Sequence, residues 1–169
     1  MKQLWAPWRM TYIDGPKEAG CIFCDKVRGE DLRSSLVLAQ TPHSLVMLNK
    51  YPYSNGHLLL APKRHTNELS ALLSDEYLDL CRAIKGAVDN LSRALKPGGF
   101  NLGMNLGRCA GAGVEDHLHW HVVPRWEGDT NFMPVTGEVR VIGQHLMESY
   151  DRLGPFFANF LAEEENSEG

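Results

Sequence analysis

The 169-residue chain contains no long apolar run, no internal repeat and no large excess of charge of either sign. No stretch approaches the ~20 apolar residues of a membrane-spanning helix, and the first residues lack the apolar segment of a secretory signal. A net charge of -4 offers no broad basic surface for nonspecific binding to nucleic acid. We therefore expect a cytoplasmic protein with neither a membrane nor a nucleic-acid partner.

Cysteine is scarce, with 4 residues in the chain. Cys21 and Cys24 form a CxxC pair, whereas Cys81 and Cys109 stand alone. In a reducing compartment this pattern favours half of a metal site plus two free thiols over two disulfides. A pair of reduced thiols under the N-terminal segment is the alternative.

The remaining composition is that of one globular domain, and its local patterns alternate between strand and helix. Apolar residues between Ser74 and Leu95 recur at the spacing of a helix buried on one face, with Ser74 as the expected N-cap. A second helix is predicted near Ile142–Leu153. Five segments are predicted strands: Ser35–Ala39, Leu45–Leu48, His57–Ala61, Phe100–Leu106 and His117–Pro124. The expected class is α+β, an antiparallel sheet of about five strands with a long helix packed on it.

Three segments of different character divide the chain. Residues 1–20 form an arm rich in aromatic residues that has too little apolar surface for a core of its own. Residues 21–145 hold the predicted sheet and long helix. Residues 146–169 contain the end of the last predicted helix and an acidic tail, which we expect to be solvated.

The most informative pattern is the row of His117, His119 and His121. Alternate residues of a strand share a face, so this spacing predicts three imidazoles side by side. A neutral imidazole is a nucleophile toward phosphorus. His119 has an imidazole on each side to orient it or to stabilise charge, so it is the best candidate for the attack.

Two neighbouring patterns supply possible partners for this row. The Gly107–Gly113 loop has three glycines and leads into the triad strand, so its N–H groups can form a nest for phosphate oxygens. Asn105 lies at the end of the preceding strand and can add an amide. A second histidine signal runs from His57 to His65, although alone it fits a strand with unrelated polar ends.

Together these motifs resemble the histidine triad (HIT) superfamily of nucleotidyl hydrolases and transferases. The segments Leu4–Met10, His121–Trp126 and Gly128–Phe132 are similar to its branch that cleaves dinucleoside polyphosphates. The resemblance covers about residues 4–145. It implies a HIT-like fold and an enzyme that cleaves diadenosine polyphosphates of the tetraphosphate type.

The resemblance also implies roles for individual residues. His119 would take the α-phosphate as a nucleotidyl-histidine, His121 would hold phosphate oxygens, and His57 would lie beside the nucleophile. Asn49 would meet the ribose hydroxyls. The phosphates would face Asn105 and the backbone of Gly111, Ala112 and Gly113. Many relatives have Gln or Ser where this chain has Gly113, so one side-chain hydrogen bond to the leaving group is expected to be missing.

The resemblance further implies a structural zinc ion and a homodimer. Some HIT proteins close a zinc site with the histidine of a Pro-Lys-x-His sequence and the first triad histidine, which match His65 and His117. With Cys21 and Cys24 these residues would complete a tetrahedral site. The homodimer interface would involve the Ser74–Leu95 helix and the adjoining strand edge.

Two other functions remain open from the sequence. The same histidine intermediate would serve a nucleoside phosphoramidate hydrolase. A noncatalytic nucleotide sensor is the second alternative, against which the complete triad argues. The sequence also leaves open whether water or inorganic phosphate resolves the intermediate.

Overall fold

The computed structural model describes residues 20–129 and 142–160. The predicted aromatic arm, apart from its last residue, and the acidic tail therefore lie outside the described residues. Within them, the chain forms an α+β fold with one antiparallel five-stranded sheet, as predicted. None of the described helices is long and apolar enough to span a membrane.

The strands lie in the order β1-β2-β3-β5-β4. Each neighbouring pair is antiparallel. Their bounds are β1 Val37–Gln40, β2 Ser44–Leu48, β3 Leu58–Pro62, β4 Gly99–Met104 and β5 Trp120–Arg125. Among the described residues, three α-helices accompany them: α1 Ile22–Arg28, α2 Ser74–Leu95 and α3 Leu146–Phe157.

The largest correction to the strand predictions concerns the triad segment. Only His121 of the three histidines lies in β5, which begins at Trp120 rather than at His117. The Leu118 N–H donates to the Thr66 carbonyl instead of to a strand of the sheet. The first strand also starts later than predicted, because Leu36 adopts a φ of 60° at the end of a turn.

The long helix α2 has the predicted bounds but a different N-terminal cap. Leu73, not Ser74, is the N-cap residue, and its N–H donates to the Glu76 carboxylate at 2.9 Å. The helix ends with Lys96 in the left-handed conformation. The last helix, α3, starts at Leu146 and runs beyond the predicted end, since Pro155 is accommodated in its final turn.

Helices α2 and α3 cover one face of the sheet with an aliphatic core. Leu58, Leu60 and Val122 from the strands pack with Leu80 and Leu91 of α2. Leu153 and Phe157 bring α3 into the same cluster. The C-terminal helix therefore shares the core of the sheet domain.

A smaller apolar cluster occupies the other face. Phe23 of α1 packs with side chains from β1, β2 and β3, and its ring is 0% exposed. The strand residues of this cluster are Val37, Leu45, Met47, Leu59 and Ala61. Because side chains alternate along a strand, His57 shares this face with Leu59.

Candidate active site

Gly56 positions His57 at the start of β3. Gly56 has a φ of +73°, and a Cβ there would come within 2.5 Å of the Leu95 side chain. Glycine therefore permits both the turn and the close approach of α2. His57 follows with 0% exposure, and its ring faces His121 on the neighbouring strand.

Hydrogen bonds fix the tautomers of His57 and His121. The backbone N–H of Tyr53 donates to His57 Nδ1 at 3.1 Å, so His57 carries its ring hydrogen on Nε2. That Nε2–H donates to His121 Nδ1 at 3.0 Å. His121 is thereby left with an Nε2–H donor, which suits a phosphate oxygen.

Asn49 reinforces this arrangement. Its Oδ1 accepts from the Tyr51 N–H at 2.9 Å, which orients Nδ2 toward His57 Nδ1 at 3.3 Å. Asn49 therefore contacts His57, one member of the histidine pair. The ribose role that the family resemblance implies for it stays a prediction.

His119 has the geometry of a nucleophile. Its Nδ1–H donates to the His117 carbonyl at 2.9 Å, which leaves a lone pair on Nε2. Its ring is edge-on to His121, with centroids 5.1 Å apart. Burial lowers the pKa of His119, an effect that the bond to the His117 carbonyl opposes. The imidazole is therefore neutral at neutral pH.

Four predicted ligands form a cluster that can hold a metal ion. The side-chain donor atoms of Cys21, Cys24, His65 and His117 all lie within 4.8 Å of one another. His117 Nδ1 is 3.1 Å from Cys21 Sγ, and His65 Nδ1 is 3.4 Å from Cys24 Sγ. The second separation lies within the roughly 3.3–3.9 Å expected between ligands of a tetrahedral zinc ion with bonds of about 2.0–2.3 Å, and the first is slightly shorter.

The tautomer of His117 also fits metal binding. Its Nε2–H donates to the Pro62 carbonyl at 2.8 Å, so Nδ1 presents its lone pair to the two thiols. Burial lowers the pKa of His117, which keeps this nitrogen unprotonated. Two cysteines and two histidines form a donor set that zinc commonly takes in structural sites.

The glycine-rich loop lies between β4 and the triad segment. Gly107 and Gly111 adopt φ values of 78° and 86°, and a short 3-10 helix spans Arg108–Ala110. The Ala112 N–H donates to the Gly107 carbonyl at 3.3 Å, and Arg108 pairs with Glu115 across the loop at 2.9 Å. These bonds give the loop a defined conformation. Contacts of Asn105, Gly111, Ala112 and Gly113 with phosphate remain predictions.

Two aromatic residues of the site were not predicted from the sequence. Tyr53 lies 4.6 Å from His57 and 5.8 Å from His121, measured between ring centroids. Phe23 lies 5.0 Å from His117 and 5.1 Å from His119. The position of Phe23 between the two cysteines of the CxxC pair could have indicated its place in the site, whereas no sequence pattern distinguished Tyr53 from other turn residues.

Comparison with known proteins identifies the relatives of this chain. Residues 32–128 match the HIT domain family. The chain is 35% identical over 158 residues to an AP-4-A phosphorylase of Mycobacterium tuberculosis, covering 88% of this chain and 80% of the relative. It is 38% identical over 105 residues to an adenosine 5'-monophosphoramidase of Schizosaccharomyces pombe, covering 62% and 74%.

A solved structure shows the same fold with metal present. The Zn-bound histidine triad family protein from Mycobacterium smegmatis has a TM-score of 0.67 and 25% identity, covering 85% of this chain and 97% of that protein. The fold, the histidine row and the domain match agree, and we conclude that this chain belongs to the HIT family of nucleotide hydrolases and transferases.

Proposed function

We propose that this protein cleaves diadenosine polyphosphates, with diadenosine tetraphosphate as the preferred type, through a nucleotidyl-histidine at His119. The observation that carries the proposal is the free Nε2 lone pair of His119 beside the Nε2–H of His121. In the proposed mechanism the first group would attack phosphorus and the second would bind the phosphate oxygens.

In the first step, His119 Nε2 attacks the α-phosphorus. The N–P bond forms as the bond between phosphorus and the bridging oxygen breaks, and ATP leaves from diadenosine tetraphosphate. The Nδ1–H of His119 stays bonded to the His117 carbonyl, which stabilises the positive charge on the ring. Water or inorganic phosphate then attacks phosphorus, the N–P bond breaks, and AMP or ADP is released.

Sequence identity over nearly the whole domain favours this substrate over a phosphoramidate. The AP-4-A phosphorylase is 35% identical over 88% of this chain, whereas an adenosine 5'-monophosphoramidase of Saccharomyces cerevisiae is 30% identical over 89% of it. The phosphoramidase is nevertheless similar enough to make adenosine phosphoramidate the second candidate substrate. A noncatalytic nucleotide sensor is disfavoured because His119 is present and correctly bonded.

Product analysis tests the proposal. Purified protein is incubated with diadenosine tetraphosphate, with and without inorganic phosphate, and in parallel with adenosine phosphoramidate. ATP plus AMP indicates hydrolysis, and ATP plus ADP indicates phosphorolysis. Faster turnover of the phosphoramidate would identify it as the substrate in place of diadenosine tetraphosphate. Tight AMP binding without turnover of either compound would support a noncatalytic nucleotide sensor.

We further propose that Cys21, Cys24, His65 and His117 bind a structural zinc ion. Four protein ligands would complete a tetrahedral sphere and leave no position for substrate. The ion would supply structural order rather than a reacting group. Reduced thiols of this kind, together with the free Cys81 and Cys109, fit a cytoplasmic location.

We also propose a homodimer. Among the described strands, β4 is an edge of the sheet; Leu102 within it and Leu106 just after it are 48% and 49% exposed. A second copy would cover this edge, with α2 contributing to the interface. Light scattering at micromolar protein should give about twice the 18.9 kDa chain mass. A monomer would contradict the proposal.

A further inference from the structure

Phe23 connects the metal-binding cluster to the proposed nucleophile. It lies between Cys21 and Cys24 in the sequence, at the start of α1. Its ring is 0% exposed and packs against two imidazoles. The ring planes make angles of 50° with His117 and 33° with His119. One side chain therefore contacts both a metal-binding histidine and the histidine that would attack phosphorus.

This contact supplies a restraint that the hydrogen bonds of His119 do not. The bond from Nδ1 to the His117 carbonyl holds one atom of the ring but leaves the tilt of its plane undetermined. The Phe23 ring lies 5.1 Å from the His119 ring with the two planes tilted by 33°, and this contact restrains the tilt of the imidazole. On another side, the edge-on ring of His121 limits movement.

The position of Phe23 depends in turn on the two thiols. Cys21 Sγ lies 3.1 Å and Cys24 Sγ 3.7 Å from His117 Nδ1, so the residues before and after Phe23 are both held at the cluster. The Cys21 carbonyl also accepts the Asp25 N–H at 3.0 Å, which closes the first turn of α1 around Phe23. A change at either thiol would move the Phe23 backbone and hence its ring.

We propose that Phe23 is a positioning residue, which transmits the geometry of the Cys21, Cys24, His65 and His117 cluster to the ring of His119. This inference rests on the proposed function in that His119 is taken as the nucleophile. In-line attack requires Nε2 to lie along the axis of the breaking bond, so a shift in ring tilt slows chemistry more than it weakens binding.

The first test is Phe23→Leu in the metal-loaded protein, with Phe157→Leu as the matched control. Phe157 is a similarly buried phenylalanine, 2% exposed, in the core on the opposite face of the sheet. We expect Phe23→Leu to lower kcat about tenfold with KM nearly unchanged, because small misplacements of reacting groups are costly. Phe157→Leu should lower Tm comparably and leave kcat unchanged.

A second measurement does not depend on activity. In protein labelled with 15N at histidine, the ring signals of His119 should shift and broaden in Phe23→Leu but keep their wild-type positions in Phe157→Leu. Metal content, measured by elemental analysis, should stay at the wild-type level in both variants. If the wild-type protein turned over no nucleotide, the proposed function would fail, while this spectrum would still decide whether Phe23 orients His119.

A double-variant cycle tests transmission itself. If Phe23 carries the effect of the cluster, Phe23→Leu with Cys24→Ser should lower kcat no more than the worse single variant does. If the kcat losses of the two single variants multiplied in the double variant, the proposed transmission from the cluster through Phe23 would be overturned. Wild-type kcat and unchanged His119 signals in Phe23→Leu would overturn the positioning role. A change in KM alone would also overturn it, since it would mean that the ring serves substrate binding.

Discussion

The two faces of the sheet are covered in different ways. On one face, α2 and α3 supply aliphatic side chains such as Leu80, Leu91 and Leu153, all 0% exposed. On the other, Phe23 and a few aliphatic residues lie beside two cysteines and the histidines. The first face gains its stability chiefly from apolar burial. The second depends on hydrogen bonds and on a cluster that can bind metal, so changes on the two faces should have different consequences.

This difference between the two faces of the sheet predicts that His119→Ala has the largest effect on function. This variant removes the attacking nitrogen, so turnover should fall by on the order of 10³-fold or more. Tm should change little, because the aliphatic face is untouched. Partial rescue of His119→Gly by added imidazole would sharpen the assignment. His43→Ala, which removes a partly exposed histidine 3.7 Å from Asp75, is the control and should retain activity. Near-wild-type turnover of His119→Ala would refute the mechanism.

Loss of the metal-binding cluster should affect both stability and activity. Protein purified without chelator should contain about one zinc per chain. Cys21→Ser should lower that content and the Tm, and it should reduce turnover because Phe23, held between the two thiols, packs against the ring of His119. Cys81→Ser changes an exposed cysteine on α2 and should leave all three quantities unchanged. Full metal content in Cys21→Ser would contradict the assignment of the ligands.

A substitution in the face of the sheet covered by α2 and α3 should lower stability and leave activity unchanged. Leu91→Ala should lower the free energy of unfolding by about 2–5 kcal/mol, the usual cost of such a cavity. Under conditions where the variant is folded, kcat should equal that of the wild type. Chemical denaturation and steady-state kinetics measure the two quantities. A large fall in kcat of the folded variant would show that the two faces are coupled through the sheet.

The smallest predicted effect concerns the ion pair of Arg64 and Glu76, which joins the segment before His65 to the start of α2. Arg64 donates to the Glu76 carboxylate at 2.7 Å and lowers the pKa of Glu76 from 4.5 to about 2. The pair's contribution to stability is therefore full above pH 4.5 and is lost as the pH falls toward 2.

Glu76→Gln should lower the free energy of unfolding at neutral pH by about 1 kcal/mol, since Arg64 is partly exposed to water. The difference from wild type should shrink as the pH falls through that window, as denaturation at several pH values would show. If the difference in the free energy of unfolding stayed constant from pH 7 to pH 2.5, the Glu76 carboxylate would not be the group responsible for the loss of stability at low pH.

Much of the architecture followed from local sequence patterns. The bounds of α2 were predicted because an apolar stripe at helical spacing needs only one covered face. The five strands were also predicted, with errors at their ends. The late start of β1 has a local cause, the positive φ of Leu36, whereas the late start of β5 accompanies a bond from the Leu118 N–H to the distant Thr66 carbonyl. The N-cap of α2 was missed because Glu76 caps the helix while paired to Arg64, a contact between distant segments.

By itself, the sequence determined the family and the nucleophile candidate, because both are encoded in residue types at short spacing, whereas the full set of metal-binding residues was implied only by the family resemblance. Only the tertiary structure decided how they meet. Cys21 and His117 are 96 positions apart, and His57 and His121 are 64 apart. Sheet order and register bring such pairs together, and no local periodicity encodes either. The same distant contacts fix the ring tautomers and place Phe23 against His119, since each depends on a group that another segment supplies.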